Sequence, residues 1–181
     1  EPTGFDPHTT SEEASLRVMN QLYETLIEVD ADMTFYGQLA ESWEIPDETT
    51  YVFHLRQGVK FHSGREMTAD DVVYTFDRIL GKTEAGDIGA LGSKASYYGG
   101  VTAVEALDTY TVQFTLAEPN AAFLSTLTSN YGAIVDKDVI EENGDLMRAD
   151  GGTGPFTLGE WLPDNYVTIT KFSDYWDADR V

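Results

Sequence analysis

Strand-like segments in this sequence come in adjacent pairs joined by short turns, and this arrangement restricts the folds open to the chain. Residues 101–107 and 110–116 form one predicted hairpin across Asp108-Thr109, and residues 156–162 and 167–172 form a second around Pro163. Strands joined this closely pair antiparallel, because a parallel pair needs a long crossover connection. The pattern therefore predicts an α+β (mixed α/β) fold rather than a regular βαβ series.

Helical periodicity appears both before and between these hairpins. One helix is predicted over residues 11–26, and the strongest signal follows Thr68, a candidate N-cap with Asp70 and Asp71 in the first turn. The buried stripe of that helix is predicted to be Val72, Phe76, Ile79 and Leu80. The remaining predicted elements are an alternating strand at 51–55, a long glycine-rich loop at 81–100, and short helices at 121–128 and 137–143.

Composition excludes several classes of protein. The 181 residues include 11 Lys+Arg and 32 Asp+Glu, a formal net charge of −21, which argues against binding the phosphate backbone of a nucleic acid. No segment reaches the roughly 18 apolar residues of a membrane span, and the opening Glu1-Pro2-Thr3-Gly4 has neither the basic segment nor the apolar run of a signal peptide, so none is expected within this sequence. The absence of cysteine removes disulfides, thiolate metal sites and cysteine nucleophiles.

The acidic residues are scattered in pairs over the chain rather than gathered in one segment. Such a surface could attract cationic ligands, or it could maintain hydration in concentrated salt, where screening shortens electrostatic range. The scatter of acidic residues favours an adaptation of the whole surface over a local binding site. We therefore interpret the negative charge as an adaptation to high salt, as in a protein from a halophile.

Short motifs give weak support for metal or catalytic sites. Asp30, Asp32, Thr34 and Glu41 match EF-hand spacing, but Phe35 occupies the position that needs glycine. The Gly-Thr-Gly at 152–154 is followed by proline, which removes a donor that a phosphate would need, so a turn is predicted there. No Gly-x-Ser-x-Gly elbow occurs.

The three histidines, His8, His54 and His62, show no ligand spacing. His54 is predicted to be structural within a strand. His8 lies in a proline-containing loop and is expected to be exposed. We predict no metal site and no cofactor.

Eight segments in order support a family resemblance. They are Phe5-Asp6-Pro7-His8 with the helix end Gln21-Leu22-Tyr23-Glu24-Thr25-Leu26, residues 39–44 (LAESWE), 51–64 (YVFHLRQGVKFHSG), 67–74 (MTADDVVY), 110–114 (YTVQF), Glu118-Pro119, 152–156 (GTGPF) and Asp174-Tyr175-Trp176. In this order they resemble the N-terminal lobe of the peptide- and nickel-type extracellular solute-binding proteins, the receptors of ABC importers.

The resemblance implies a bilobal, cluster-C type periplasmic-binding-protein fold of which this chain is the first lobe with an extra subdomain. Residues 1–35 and 169–181 would belong to the ligand-binding lobe, and residues 36–168 to the subdomain. The second lobe would follow Val181. A signal sequence and a lipid-bearing cysteine would lie upstream of Glu1, so an extracellular or periplasmic, cell-surface location is implied.

The resemblance also implies a function. The protein would be a monomeric, non-enzymatic receptor that captures di- or oligopeptides and delivers them to a membrane permease. The ligand-binding residues carried over are His8, Thr9, Thr10, Ser11, Tyr97 and Tyr98. A receptor for a nickel chelate or an oligosaccharide, a permease-contacting module without its own ligand, and, most remotely, an enzyme remain alternatives.

Overall fold

The computed structural model describes residues 1–82 and 92–180. Its helices are α1 (Glu13–Leu22), α2 (Ala69–Ile79), α3 (Gly92–Ala95), α4 (Phe123–Leu127) and α5 (Lys137–Asn143). Its strands are β1 (Ile27–Val29), β2 (Phe35–Gly37), β3 (Ala40–Asp47), β4 (Thr50–Leu55), β5 (Val101–Asp108), β6 (Thr111–Leu116), β7 (Phe156–Leu162) and β8 (Tyr166–Lys171). Short 3-10 turns lie at Ser96–Tyr98, Asn130–Gly132 and Ala178–Arg180. Antiparallel pairing throughout the named strands confirms the predicted α+β class.

A four-stranded antiparallel sheet lies at the centre of the first hydrophobic cluster. Its strand order is β3-β4-β6-β5, and two separate hairpins are formed by β1-β2 and β7-β8. Tyr51, Phe53 and Leu55 on β4 are buried, as their alternation predicted, and Phe53 lies opposite Val112 on β6. Because alternate residues share a face, this register directs the large apolar side chains of both strands to one side of the sheet.

Helix α2 covers that buried face. It begins after Thr68, as predicted, and the Thr68 N–H donates to Asp71 Oδ2 at 2.9 Å, which satisfies an amide at the helix start. Three residues of the predicted stripe are buried and the fourth, Leu80, is half-buried. The Phe76 ring packs edge-on against Phe114 of β6 with ring centroids 4.8 Å apart, so helix and sheet share one core.

A second hydrophobic cluster joins the N-terminal segment to residues far along the chain. Its buried members are Phe5, Met19, Leu22, Tyr23, Ala133, Val135, Ile140 and Leu146. The Gly152–Gly154 turn packs against the end of α1, where Gly154 N–H donates to Leu22 O at 2.9 Å. A Cβ at Gly152 would lie 1.9 Å from that carbonyl oxygen, so this glycine is required by the close approach of two backbones.

Helix α1 ends four residues earlier than predicted. Tyr23 has extended backbone angles (φ −121°, ψ 152°), and Leu26 is buried in the first cluster whereas Leu22 is buried in the second. Residues four apart on a helix would share one face. The chain must therefore leave the helix between them to supply both cores.

The described part of the predicted loop at 81–100 is partly helical, because Tyr97 and Tyr98 lie on the turn that follows α3. Residues 83–91 of that loop lie outside the described residues. The predicted subdomain boundaries stay predictions; the one between residues 168 and 169 falls within β8. Over residues 1–82 and 92–180, no helix has the length and hydropathy needed to cross a membrane.

Candidate functional site

The loop that carries four of the predicted site residues is folded around Asp6. Its carboxylate accepts from the His8 N–H at 3.0 Å, and its main-chain carbonyl accepts from the Thr10 N–H at 3.0 Å. An aspartate followed by proline favours such a turn, because the side chain bonds the backbone two residues on while proline fixes its own φ. The loop conformation is thus specified locally.

A buried ion pair fixes the inner side of this loop. Arg78 of α2 donates to both carboxylate oxygens of Asp6, at 3.0 and 2.6 Å, and both side chains are fully buried. Burial opposes ionisation of Asp6, but the hydrogen bond and charge of Arg78 hold its pKa below the ordinary value. The pair joins residues 72 positions apart.

His8 belongs to this buried group, so the expectation that it is exposed is wrong. Its Nε2 lies 3.0 Å from the Ala133 carbonyl oxygen and its Nδ1 lies 2.7 Å from an Arg78 nitrogen. Since a carbonyl can only accept, Nε2 carries the proton and Nδ1 accepts from Arg78. Burial, with Arg78 beside the ring, lowers the pKa of His8 to about 4, so the imidazole is neutral at physiological pH.

Lys94 connects the outer side of the loop to two tyrosines. Its Nζ donates to the Thr10 carbonyl oxygen at 2.7 Å and lies 4.4 Å from the centre of the Tyr131 ring. Tyr131 packs against Tyr97, with ring centroids 5.5 Å apart and planes at 55°. The structure therefore brings together two predicted site residues, Thr10 and Tyr97, through two that were not assigned.

The six predicted site residues divide between surface and interior. Ser11 is exposed, Thr9 is half-buried, and Tyr97 is 56% exposed. Thr10 offers its carbonyl to Lys94 while its side chain is buried.

Tyr98, like His8, lies in the interior. Its ring packs edge-on against Phe76 at 5.2 Å, its hydroxyl donates to the Thr126 carbonyl at 3.2 Å, and burial raises its pKa. Tyr98 therefore supports the turn that presents Tyr97 and does not itself reach the surface.

A polar cleft of about 450 Å³ lies between the end of α1, β1 and the start of β7. Its wall consists of Asn20, Gln21, Tyr23, Glu24, Thr25, Glu28, Gln38, Thr128, Asn130, Pro155, Phe156 and Tyr175. Asn130 precedes Tyr131 in sequence and is hydrogen-bonded to Asn20, which places this cleft next to the Tyr97–Tyr131 pair. Hydrogen-bonding side chains dominate the wall, which suits a polar ligand.

Glu24 lines the cleft and is almost completely buried. Its carboxylate accepts from Thr153 Oγ1 at 2.9 Å, Tyr175 OH at 2.7 Å and Trp176 Nε1 at 3.0 Å. Burial raises the pKa of Glu24, although these three donors oppose the shift. Glu24 thus joins the end of α1 to the Gly-Thr-Gly turn and to the aromatic pair near residue 176.

Sequence reasoning missed Lys94 and Glu24 as parts of the site. Tyr131 could be suspected as an aromatic residue near a turn, but Lys94 stands in an irregular segment and Glu24 within a helical pattern. Neither position carries a spacing signal, because their partners lie 84 and 129 residues away in sequence.

The EF-hand spacing near Asp30 reflects a turn. Asp30 Oδ1 accepts from the Asp32 and Thr34 N–H groups, both at 2.9 Å, and so closes the β1-β2 connection. Among the residues that the structure describes, no group of three or more His, Cys, Asp or Glu side chains is placed to hold a metal ion.

Comparison with known proteins identifies a family of solute-binding proteins. The model of the bacterial extracellular solute-binding proteins, family 5 Middle, matches residues 34–181. The di/tripeptide-binding protein 1 of Pseudomonas aeruginosa is 35% identical over 207 residues, covering 99% of this chain and 37% of the relative. The chain thus spans less than two-fifths of the length of that relative.

Solved structures share the fold. Haemophilus influenzae OppA in complex with the peptide RPPGFSPFR matches with a TM-score of 0.86 and 28% identity, over 99% of this chain and 38% of that one. AgaA of A. tumefaciens R10 in complex with agropinic acid matches with a TM-score of 0.85 and 30% identity, over 98% and 35%. These likenesses confirm the periplasmic-binding-protein fold, and the relatives are binding proteins rather than enzymes.

Proposed function

Because this chain belongs to the family 5 bacterial extracellular solute-binding proteins, we propose that it is part of a receptor that captures di- or oligopeptides outside the membrane and delivers them to the permease of an ABC importer. The named ligands of the relatives support this choice, since one is a di/tripeptide-binding protein and another holds a nonapeptide. We propose that the receptor performs no chemistry on its ligand.

One structural observation carries the proposal for this chain. Lys94 joins Thr10 to the Tyr131–Tyr97 ring pair, Tyr131 follows the cleft residue Asn130 in sequence, and Tyr97 and Ser11 are exposed. Tyrosine provides a large, stiff contact surface with a polar end, which suits ligands of mixed character. We propose Thr9, Ser11 and Tyr97 as ligand contacts, with His8, Thr10 and Tyr98 supporting them from behind.

The expected mechanism follows from a bilobal architecture. A peptide would enter the open cleft, and closure of a second lobe would complete the site and generate the form that the permease recognises. Main-chain donors and acceptors can hold a peptide backbone whatever its side chains, which allows one receptor to accept many sequences.

Calorimetric titration of the full-length protein with di-, tri- and nonapeptides tests the proposal. We expect dissociation constants between nanomolar and micromolar and recovery of intact peptide afterwards. Tyr97→Ala should weaken binding about tenfold by removing an aromatic contact. Tyr166→Ala on β8, which removes a tyrosine of similar exposure (42%), should leave affinity unchanged.

Two other outcomes would contradict the proposal. Binding of agropinic acid, a nickel chelate or an oligosaccharide without any peptide binding would make the protein a receptor for non-peptide solutes. Hydrolysis of the added peptides would make it an enzyme. The agropinic acid complex of AgaA gives the first of these a specific basis, because its TM-score of 0.85 is close to the 0.86 of the OppA peptide complex.

A further inference from the structure

Lys94 is a buried cation whose contacts within the described residues are neutral. The residue is 6% exposed, and its Nζ contacts the Thr10 carbonyl and the Tyr131 ring. No carboxylate of residues 1–82 or 92–180 forms an ion pair with it. Burial accordingly lowers the pKa of Lys94 to about 8, although Asp6 and Glu12 oppose the shift through their charge.

Lys94 joins the Asp6–Thr10 loop to the Tyr131 ring. The inner side of the Asp6–Thr10 loop is fixed by Arg78 and by the His8–Ala133 hydrogen bond. On the outer side, the Thr10 carbonyl oxygen accepts a hydrogen bond from Lys94. The Thr10 hydroxyl makes a weaker contact, because it lies 4.0 Å from the Met147 sulfur.

A hydrocarbon could pack at the same place as Lys94, since most of the lysine side chain is itself apolar. It could not donate to a carbonyl, however, or interact electrostatically with the face of a tyrosine ring. The amino group therefore supplies the connection between loop and ring. Its hydrogen bond to Thr10 and its contact with the Tyr131 ring offset part of the cost of desolvating the cation.

We propose that Lys94 is a positioning residue that holds the loop at Thr10–Ser11 and the Tyr97–Tyr131 ring pair in one arrangement before ligand arrives. The inference rests on the proposed function in that these two segments are the proposed contacts. Preorganising them removes part of the ordering cost that binding would otherwise incur, so affinity should depend on Lys94 even though its amino group need not contact the ligand.

The test uses the full-length protein with Lys94→Met, Lys94→Arg and, as a matched control, Lys82→Met. Lys82 is exposed and its Nζ lies near the Thr102 carbonyl. Amide hydrogen exchange over residues 8–12 and 96–98 is measured without ligand, and peptide affinity is measured by calorimetry. Exchange reports the arrangement of the two segments directly, so it does not depend on which ligand binds.

We expect Lys94→Met to speed exchange in both segments and to weaken peptide affinity, each by roughly tenfold. Lys94→Arg should remain within about threefold of the unmodified protein, because a guanidinium also donates and stacks on tyrosine. Lys82→Met should change neither measurement. Rescue by arginine distinguishes positioning from simple filling of space.

Unchanged exchange in Lys94→Met, or exchange in Lys94→Arg as fast as in Lys94→Met, would overturn the inference. If Lys94→Met does not fold, Tyr131→Leu removes the ring at similar volume, and unchanged exchange at residues 8–12 in that variant would overturn it equally. Normal exchange behaviour with no peptide binding by the unmodified protein would instead overturn the proposed function.

Discussion

Two arginines join distant parts of the chain, and they do so in opposite environments. Arg78 and its partner Asp6 are both fully buried behind the candidate site. Arg65 keeps 26% of its side chain in solvent and contacts Asp71 at 2.6 Å and Asp136 at 2.5 Å. The same residue type thus pairs with buried carboxylates in both regions, through a fully buried guanidinium in one and a partly exposed one in the other.

The difference shows where this fold depends on a particular partner. Asp71 and Asp136 serve the starts of α2 and α5, since each accepts a main-chain N–H there. Both carboxylates are fully buried, but the Arg65 side chain that pairs with them is partly exposed, so water can enter the space that its removal would leave. No water replaces Arg78, because removing it leaves the Asp6 carboxylate charged and buried. The loop behind the candidate site should therefore be the more fragile region.

Arg78→Met should give the largest effect. Removing one member of a buried ion pair costs roughly 3–5 kcal/mol, because the remaining charge stays desolvated. Urea unfolding of the full-length protein measures the loss. Addition of Asp6→Asn to this variant should cost much less than the sum of the two single losses. A loss below about 1 kcal/mol for Arg78→Met would show that the two regions do not differ as the burial indicates.

Acid should destabilise the buried region next. The pKa of His8 is about 4 when folded and about 6.5 when unfolded, so between these values the unfolded chain binds a proton that the folded chain does not. Stability therefore falls as pH falls from about 6.5 to 4, by up to about 3 kcal/mol from this group. Urea midpoints taken across that range measure the slope.

His8→Asn should flatten this part of the pH profile, because an amide cannot take up the proton. His54→Asn provides the control, since the His54 side chain is 37% exposed and lies on the sheet. Equal slopes for His8→Asn and the unmodified protein would contradict the assignment of a neutral, buried His8.

Arg65→Ala should have the smallest effect of the three, a loss of about 1–2 kcal/mol, because the partly exposed Arg65 side chain leaves a space that water can enter to hydrate the buried Asp71 and Asp136 carboxylates. Arg17→Ala is its control, since the Arg17–Glu13 pair is exposed on both sides and should give no measurable change in melting temperature. A stability loss as large as that of Arg78→Met would contradict the comparison, because it would show that the partial exposure of Arg65 does not reduce the cost of removing it.

Local patterns in the sequence were sufficient for most of the secondary structure. The hairpins, the start of α2 at Thr68 and the N-cap of α5 at Asp136 all follow from neighbours a few residues apart. The end of α1 did not follow, because the spacing that runs through Leu26 serves a different core from the one that buries Leu22.

The site was only partly predictable for the same reason. Ser11 and Tyr97 lie at the surface, whereas His8 and Tyr98 beside them are buried by Arg78, Ala133, Phe76 and Thr126 from other elements. Neighbouring residues in a loop or turn can point in opposite directions, and the chain pattern does not say which one meets the core. Exposure there is a tertiary property.

The sequence by itself determined the hairpin and helix order, the charge and the resemblance to solute-binding receptors, because these depend on residue type and local spacing. Only the tertiary structure decided that a buried aspartate, histidine and arginine lie behind the candidate site, and that Lys94 joins Thr10 to Tyr131. The contacts that Arg78 and Lys94 make there bring together groups separated by 37 to 84 positions along the chain. Burial and hydrogen bonding at such separations depend on how the elements pack, which local patterns do not encode.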